Sequence, residues 1–186
     1  MVVCFVLIKK ENMKILITGS TGFIGSHLVN LLKNNHEVFA LTNDRTYLEK
    51  SSGSVKYIFQ DLTQPLVLGE IKEIDCIIHL AQGNQKTIEG APIEFKVNVA
   101  ATMELLEFAR THQAKKFILA SSGTVYGFGP RKFKETDSYN PINMYGATKI
   151  AAEGLVKQYE SYFDCIILRF FFPYGQVHHQ FNYLAV

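Results

Sequence analysis

Short runs of Val, Ile, Leu and Phe alternate along the chain with longer segments in which apolar residues recur every three or four positions. The runs predict six strands, which are Lys14–Thr18, Glu37–Thr42, Val55–Gln60, Cys76–Leu80, Lys116–Ser121 and Cys165–Arg169. Several are apolar at almost every position, as expected of strands that helices cover on both faces. Strands that alternate with helices are typical of βαβ units. The pattern therefore predicts an α/β protein with a doubly wound parallel sheet.

Three longer segments are the predicted helices, namely Phe23–Asn34, roughly 95–112 and Asn143–Tyr162. In the second of them, Ala101, Leu105 and Phe108 are spaced so that they form one apolar face. The segments 82–92 and 128–141 are irregular. Long irregular segments in compact domains are often binding loops, so both are candidates for that role.

The composition is that of one globular domain. The chain has 186 residues, of which 47% are hydrophobic and 19% charged, which does not fit a disordered protein. The net charge of +2 comes from scattered lysines and arginines and gives no sign of a nucleic-acid-binding surface. The apolar run at residues 1–8 is too short for a membrane span, which takes about 20 residues, and it lacks the features of a secretory signal. Neither nucleic acid nor a membrane is expected as a partner.

The cysteines indicate a reducing location. Cys4, Cys76 and Cys165 lie far apart and match no metal-binding or redox spacing. Two of them sit in apolar runs, where buried free thiols are expected. A cytoplasmic protein is therefore predicted. The pair His178–His179 has no cysteine or carboxylate close to it in the sequence, so no metal site is expected.

The first predicted strand is joined to the first predicted helix by a glycine-rich turn, T-G-S-T-G-F-I-G at residues 18–25. Gly19 permits a tight turn, Gly22 lets a pyrophosphate approach the backbone, and Gly25 lets the helix pack closely on the strand. The N–H groups at the start of the helix would then bind phosphate oxygens. The turn therefore predicts a site for NAD or NADP.

Tyr145 and Lys149 are four positions apart in a predicted helix, so they lie on one face of it. A phenol with a pKa of about 10 is a poor base at neutral pH, but an adjacent ammonium favours the phenolate and lowers that pKa. Ser122, at a strand end, would hydrogen-bond the substrate oxygen that gains or loses a proton. These three residues form the candidate catalytic group for a hydride transfer in which a nicotinamide carries the hydride.

Residues 13–175 resemble the extended branch of the short-chain dehydrogenase/reductase family, the NAD-dependent epimerases and dehydratases. The shared motifs are G-x-x-G-x-x-G at 19–25, D-L at 61–62, I-I-H-L-A at 77–81, V-N-V at 97–99, S-S-G-T-V-Y-G at 121–127, Y-x-x-x-K at 145–149 and L-R-F-F-F-P-Y-G at 168–175. They occur in the order in which the family has them. The resemblance implies an NAD(P)-binding Rossmann fold and a nucleotide sugar as substrate.

The resemblance also implies roles for single residues. In the family, the aspartate at Asp61 contacts adenine, the backbone at Ala81 passes the cofactor, and Asn98 helps to shape the active site. The lysine at Lys149 holds ribose hydroxyls as well. The candidate cofactor-binding residues are Gly19, Thr21, Gly22, Phe23, Ile24, Gly25, Asp61, Leu62, Leu80, Ala81, Asn98, Tyr145 and Lys149.

Departures from the family motifs narrow the predicted reaction. In related sugar-nucleotide dehydratases an Asp-Glu pair drives elimination of water, and here those positions hold Gly123 and Thr124. Neither residue acts as an acid or base, so an epimerase or reductase is favoured. Phe172 stands where many relatives have a substrate-contacting Asn. Core packing is nevertheless expected for at least two of the three residues 170–172.

The choice between NAD and NADP depends largely on the end of the second strand, where an acid binds the 2′-hydroxyl and a base accommodates a 2′-phosphate. Asp44 and Arg45 both lie slightly beyond the expected position and favour opposite outcomes. Thr42 stands in place of the acid, which favours NADP slightly.

Relatives in this family continue beyond the position of Gly175 with a region that supplies most of the substrate pocket. We therefore expect an N-terminal extension at 1–12, the NAD(P)-binding domain at 13–175 and a short remnant at 176–186, with the C-terminal substrate region largely missing. The predicted function is that of an NAD(P)-dependent epimerase or reductase of a nucleotide sugar, as an incomplete chain. The alternatives are an inactive dinucleotide-binding remnant and one half of a split enzyme. Dimers of the family pair the helices near 95–112 and 143–162, which implies a possible homodimer.

Overall fold

The computed structural model of the protein describes residues 12–83, 88–129 and 132–175. The strands of the sheet are β1 (Lys14–Thr18), β2 (Glu37–Thr42), β3 (Val55–Phe59), β4 (Cys76–His79), β5 (Lys116–Ser122) and β6 (Asp164–Phe170). The α-helices are α1 (Phe23–Leu32), α2 (Ala91–Phe95), α3 (Ala101–Thr111) and α4 (Met144–Lys157). Shorter helical turns occupy Arg45–Lys50, Ile88–Gly90, Lys96–Ala100 and Gly123–Tyr126.

All strand pairs are parallel, and the strands lie in the order β3-β2-β1-β4-β5-β6. This is the strand order of the Rossmann fold, so the predicted doubly wound α/β class is confirmed. The order reverses between β1 and β4. Ligands of such sheets bind in the crevice at that point, beyond the carboxyl ends of the strands.

The core has two layers because successive side chains of a strand point to opposite faces of the sheet. On one face, Leu16 and Phe117 are buried together with Leu105 of α3. On the other face, Ile17 is buried with Leu28 of α1. Full burial of one such side chain contributes about 1.5–3 kcal/mol, so the two layers hold the helices firmly on the sheet. The carboxyl edge of the sheet is thereby a rigid support.

The second predicted helix is interrupted, which the apolar periodicity did not show. A π-helical turn, Lys96–Ala100, separates α2 from α3. Such turns insert one residue into a helix and often occur at functional sites. Here the turn contains Asn98, whose side chain is buried and hydrogen-bonded to two other elements. The third predicted helix ends at Lys157 instead of Tyr162, and hydrogen-bonded turns follow it.

Several predicted features fall outside the described residues. These are most of the N-terminal extension with Cys4, part of the segment 82–92, and the remnant 176–186 with its histidine pair. Among the residues that are described, no helix has both the length and the hydropathy needed to cross a bilayer.

Candidate active site

The turn between β1 and α1 requires glycine at two positions. Gly19 has φ +65°, and a Cβ on it would lie 2.7 Å from the backbone nitrogen of Ala81. A Cβ on Gly25 would lie 2.1 Å from the carbonyl oxygen of Gly19. Gly22 is exposed and Thr21 is half-buried. The turn is therefore tightly packed against β4 and against the helix, while its backbone at Gly22 stays accessible.

Helix α1 presents an uncapped N-terminus at this turn. Gly22 is its N-cap, no side chain in the described part of the chain caps it, and its first turn contains no acid. The N–H groups of Phe23, Ile24 and Gly25 precede the first helical hydrogen bond, from Ser26 N to Gly22 O at 2.9 Å. Such groups bind anions well. The arrangement fits the pyrophosphate of a dinucleotide.

The loop after β3 holds the predicted adenine contact. Asp61 and Leu62 are half-buried. One carboxylate oxygen of Asp61 accepts hydrogen bonds from the backbone nitrogen and the hydroxyl of Thr63, both at 2.8 Å. The buried Gln60 braces the loop by donating to the carbonyl oxygen of Pro65 at 3.2 Å. The loop is thus ordered at the carboxyl edge of the sheet.

The ends of β1 and β4 are joined below the crevice. A hydrogen bond of 2.6 Å links the Thr18 hydroxyl with His79 Nδ1, and Ala81 N donates to the same hydroxyl at 3.1 Å. Burial lowers the pKa of His79 to about 3, helped by the nearby charge of Lys149, so the ring is neutral at physiological pH. Leu80 and Ala81, the predicted cofactor contacts, are half-buried directly beyond this link.

The two helical residues of the predicted catalytic group lie near the start of α4. Asn143 caps the helix by accepting a hydrogen bond from Gly146 N at 2.8 Å. The Lys149 Nζ atom lies 5.7 Å from the centroid of the Tyr145 ring. The ammonium is thus one helical turn from the phenol on the same face.

Lys149 is buried, with an exposed fraction of 1%. Its Nζ donates a hydrogen bond of 2.9 Å to the carbonyl oxygen of Ala120 in β5. Burial lowers the pKa of Lys149 to about 8, and the charge of Glu153 one turn further along the helix opposes that shift. The side chain therefore carries a positive charge at neutral pH in a place with little water.

A second cluster, which the sequence analysis did not identify, surrounds Glu153. This fully buried carboxylate accepts hydrogen bonds from Arg169 at 2.9 and 2.7 Å, from Ser121 at 2.5 Å and from Tyr139 at 2.7 Å. Burial would raise the pKa of Glu153, but these hydrogen bonds and the charge of Arg169 outweigh it and hold the pKa below its ordinary value. The cluster joins α4 to β5, β6 and the loop before α4. An arginine in an otherwise apolar strand was its signal in the sequence.

Ser122 is the last residue of β5 and caps the turn that follows. Its hydroxyl oxygen accepts hydrogen bonds from the nitrogen of Thr124 at 3.2 Å and from its hydroxyl at 3.0 Å. The turn packs directly on α4, because a Cβ on Gly146 would lie 3.0 Å from the carbonyl oxygen of Thr124. Thr124, two residues after Ser122, is therefore in contact with Gly146, which follows Tyr145.

The position that holds an acid in the related dehydratases is occupied here by Gly123, and the Phe171 ring packs against it. Gly123 is buried, and a Cβ on it would lie 2.5 Å from the ring of Phe171. A larger side chain at this position would have to displace the Phe171 ring. The aromatic run itself corrects a prediction, since Phe171 is 53% and Phe172 88% exposed, and only Phe170 is half-buried. Core packing of two of them was wrong because they follow the edge strand β6, where the described residues do not cover them.

Gln82 contacts the phenol and was also missed. Its Oε1 accepts a hydrogen bond of 2.5 Å from the Tyr145 hydroxyl. Asn98 binds the next residue by accepting from Gly83 N at 2.9 Å and donating to Gly83 O at 3.0 Å. It also donates to the Thr148 hydroxyl at 3.0 Å. Asn98 thus binds the loop after β4 to the catalytic helix. No residue pattern in the sequence pointed to Gln82.

The residues after β2 bear on the choice of dinucleotide. The Asp44 carboxylate accepts hydrogen bonds from the nitrogen and the hydroxyl of Thr46 at 2.9 and 2.7 Å, and so caps the next helical turn. Thr42 accepts a bond of 3.0 Å from Asp44 N. The Arg45 guanidinium lies over the Phe59 ring, 3.9 Å from its centroid. The Asp44 carboxylate is thereby held in its own turn, and the Arg45 guanidinium lies at the ends of β2 and β3.

The strand order, the glycine turn before α1 and the Tyr-Lys pair of α4 together define a dinucleotide-binding protein of the short-chain dehydrogenase type. Residues 15–184 match the model of the NAD dependent epimerase/dehydratase family. The chain belongs to this family.

Several similar proteins are named as UDP-glucose epimerases. The chain is 33% identical to an uncharacterized UDP-glucose epimerase, YtcB, of Bacillus subtilis over 88% of this chain and 57% of that protein. It is 30% identical to a UDP-glucose 4-epimerase of Pisum sativum over 89% of this chain and 53% of that protein. The chain therefore spans little more than half the length of these relatives.

Solved structures that resemble this chain include 4-epimerases of UDP-sugars. A UDP-N-acetylglucosamine 4-epimerase from Methanobrevibacter ruminantium, in complex with UDP-N-acetylmuramic acid, matches with a TM-score of 0.79 and 29% identity over 95% of this chain and 61% of that one. A UDP-glucuronic acid 4-epimerase from Bacillus cereus, in complex with NAD, matches with a TM-score of 0.74 and 30% identity over 86% of this chain and 57% of that one. Both likenesses extend over most of the present chain.

Proposed function

We propose that this chain provides the dinucleotide site and the proton-transfer group of an NAD(P)-dependent epimerase or reductase that acts on a nucleotide sugar. The observation that carries the proposal is the placement of Lys149. Its ammonium is buried on the end of β5, one turn from Tyr145, at the sheet edge where the glycine turn opens. Membership of the epimerase/dehydratase family and the names of the relatives support the substrate class.

The three residues of the group would act together on one hydroxyl group of the sugar. The phenolic oxygen of Tyr145 takes the proton of a sugar hydroxyl as its carbon is oxidised, and returns the proton when the carbon is reduced. The positive charge of Lys149 stabilises the phenolate, which is the form that takes the proton and the form that is restored when the proton is returned. The Ser122 hydroxyl hydrogen-bonds the same sugar oxygen. The bound nicotinamide supplies the hydride acceptor and donor. Elimination is disfavoured because Gly123, packed against Phe171, cannot provide an acid.

We infer that the cofactor is a nicotinamide dinucleotide and that its 2′-phosphorylated form is preferred. Thr42 provides no carboxylate for a 2′-hydroxyl at the end of β2, and Asp44 already caps the following turn. Arg45 lies at the same edge and carries the charge that a 2′-phosphate needs. The N–H groups at the start of α1 would hold the pyrophosphate.

We further infer a homodimer through α3 and α4, the helices near 95–112 and 143–162. Met103 on α3 is 39% exposed, and Tyr162, which follows α4, is 61% exposed. Pairing these helices with those of a second copy would cover both side chains. Sedimentation equilibrium would show a dimer, and Met103→Glu would shift it toward monomer. In the described part of the chain, Cys76 and Cys165 form no disulfide, which supports a reducing, cytoplasmic location.

Two measurements test the proposed function. Calorimetric titration with NAD, NADH, NADP and NADPH should show binding. Protein with bound dinucleotide is then incubated with UDP-glucose, UDP-N-acetylglucosamine and UDP-glucuronic acid, and the products are separated by chromatography. Conversion is expected, and Tyr145→Phe should retain dinucleotide binding but lose at least about 100-fold in rate.

Conversion would favour the proposed activity over both alternatives. Binding without conversion of any sugar nucleotide would refute the activity of this chain and favour a dinucleotide-binding remnant or one half of a split enzyme. Absence of binding would refute the cofactor site as well.

A further inference from the structure

Gln82 touches the atom to which the proposed function assigns proton transfer. The Tyr145 hydroxyl donates a hydrogen bond of 2.5 Å to Gln82 Oε1, across 63 positions of sequence. Gln82 itself is exposed, but the next residue is buried against α2. A Cβ on Gly83 would lie 3.0 Å from the Cα of Glu94. The backbone that carries the Gln82 side chain therefore has little freedom to move.

Hydrogen bonds form a closed ring around this contact. Gly83 exchanges two hydrogen bonds with the Asn98 side chain, at 2.9 and 3.0 Å. Asn98 donates to the Thr148 hydroxyl at 3.0 Å, and that hydroxyl donates to the carbonyl oxygen of Tyr145 at 2.9 Å. The ring returns to its start through the bond between Tyr145 and Gln82. The backbone that carries Gln82 is thus held relative to Tyr145 by buried groups of the π-helical turn and of α4.

An amide suits both protonation states of a phenol. Its oxygen accepts a hydrogen bond from the neutral phenol, and its nitrogen, after rotation of the amide group, donates one to the phenolate. An ionised carboxylate can only accept. A methionine side chain has a similar length but offers no strong donor or acceptor. Alanine offers no side-chain hydrogen bond at all. Of glutamine, glutamate, methionine and alanine, only glutamine can therefore keep a strong hydrogen bond to the phenolic oxygen throughout a proton-transfer cycle.

We propose that Gln82 is a positioning residue for Tyr145 and keeps its phenolic oxygen directed into the crevice in both protonation states. This inference rests on the proposed function for the role of Tyr145. In the described part of the chain, Lys149 lies on the same helix as the phenol, with its Nζ 5.7 Å from the ring centroid. The buried His79 on β4, which is close enough to feel the charge of Lys149, is neutral. Glu153, one turn beyond Lys149, is paired with Arg169.

The first test needs no enzymatic activity. Protein with ¹³Cζ-labelled tyrosine is titrated by NMR, and the Tyr145 signal is assigned by its loss in Tyr145→Phe. In Gln82→Glu the new carboxylate lies next to the phenolic oxygen, and the Tyr145 titration should shift by about one pH unit to higher pH. Gln158→Glu introduces the same charge in an exposed position beyond the other end of α4 and should leave it unchanged. An unshifted Tyr145 titration in Gln82→Glu would overturn the proposal.

The second test uses turnover. Gln82→Met should lower kcat by about tenfold or more with little change in KM, and Gln82→Glu should move the pH profile to higher pH, as a merely structural residue would not. Unchanged kcat and pH profile in both variants would refute the positioning role. If wild-type protein converts no sugar nucleotide, the proposed function fails, while the NMR titration still decides whether Gln82 holds the phenol.

Discussion

The Lys149 Nζ atom lies 2.9 Å from the carbonyl oxygen of Ala120, so the ammonium rests on the end of β5 instead of in solvent. Ala120 precedes Ser122 by two residues, and Lys149 follows Tyr145 by one helical turn. One hydrogen bond thus ties the helix that carries the phenol to the strand that carries the serine. Burial of this charge has a cost, which can be measured.

Stability should depend on the protonation of Lys149. Burial lowers its pKa to about 8 in the folded protein, whereas lysine in an unfolded chain has a pKa of about 10.4. Because the folded state releases its proton first, the free energy of unfolding should rise by up to about 3 kcal/mol as the pH increases between these values. Lys149→Met should lack this rise. Urea unfolding at pH 7.5 and pH 10 measures this rise in the free energy of unfolding, and Lys157→Met, at an exposed position, is the control. The same pH dependence in wild type and in Lys149→Met would contradict the prediction.

Glu153→Gln should strongly destabilise the protein. The substitution leaves Arg169, whose side chain is only 14% exposed, without its ionic partner. Removing one member of such a buried pair costs about 3–5 kcal/mol. Since the pKa of Glu153 is held below its ordinary value, the loss should be full at pH 7 and shrink as the pH falls through the folded-state pKa. Guanidinium unfolding at pH 7 and pH 3.5 tests this, and Glu160→Gln, at an exposed position, should change little.

Two helical glycines should respond in opposite ways to alanine. A Cβ on Gly25 would lie 2.1 Å from Gly19 O, so Gly25→Ala must displace the turn or the helix. We expect a loss of more than about 2 kcal/mol in the free energy of unfolding. Around Gly154 in α4 there is nothing within 4 Å of the added Cβ, so Gly154→Ala should stabilise by about 0.5–1 kcal/mol. Thermal unfolding of both variants checks the pair, and a stable Gly25→Ala protein would show that the turn adapts.

Arg45→Ala should weaken NADPH binding by about tenfold and NADH binding much less, because the guanidinium would contact the 2′-phosphate by a charge-assisted hydrogen bond. Lys50→Ala removes a charge from the same helical turn and serves as the matched control. Calorimetric titration of each variant with both dinucleotides gives the ratio of the NADPH affinity to the NADH affinity. Equal losses for the two dinucleotides would assign Arg45 no part in selectivity.

Much of the fold could be predicted because it depends on local pattern. β1 and β2 have the predicted bounds, β3, β4 and β5 differ by one residue at one end, and β6 is longer by one residue at each end. Continuous apolar runs and glycine spacing are properties of neighbouring residues, so they are visible without coordinates. The interruption of the second helix by a π-helical turn was not visible, since it depends on where the buried Asn98 finds partners in Gly83 and Thr148.

The sequence by itself determined the alternation of strands and helices, the glycine turn and the spacing of Tyr145 and Lys149. These follow from side-chain size, backbone freedom and helical period, which act within a few residues. Only the tertiary structure decided the surroundings of that pair, in which the Ala120 carbonyl holds the ammonium and Gln82 holds the phenol. Hydrogen bonds between residues tens of positions apart depend on how the layers pack, and no local pattern encodes that distance.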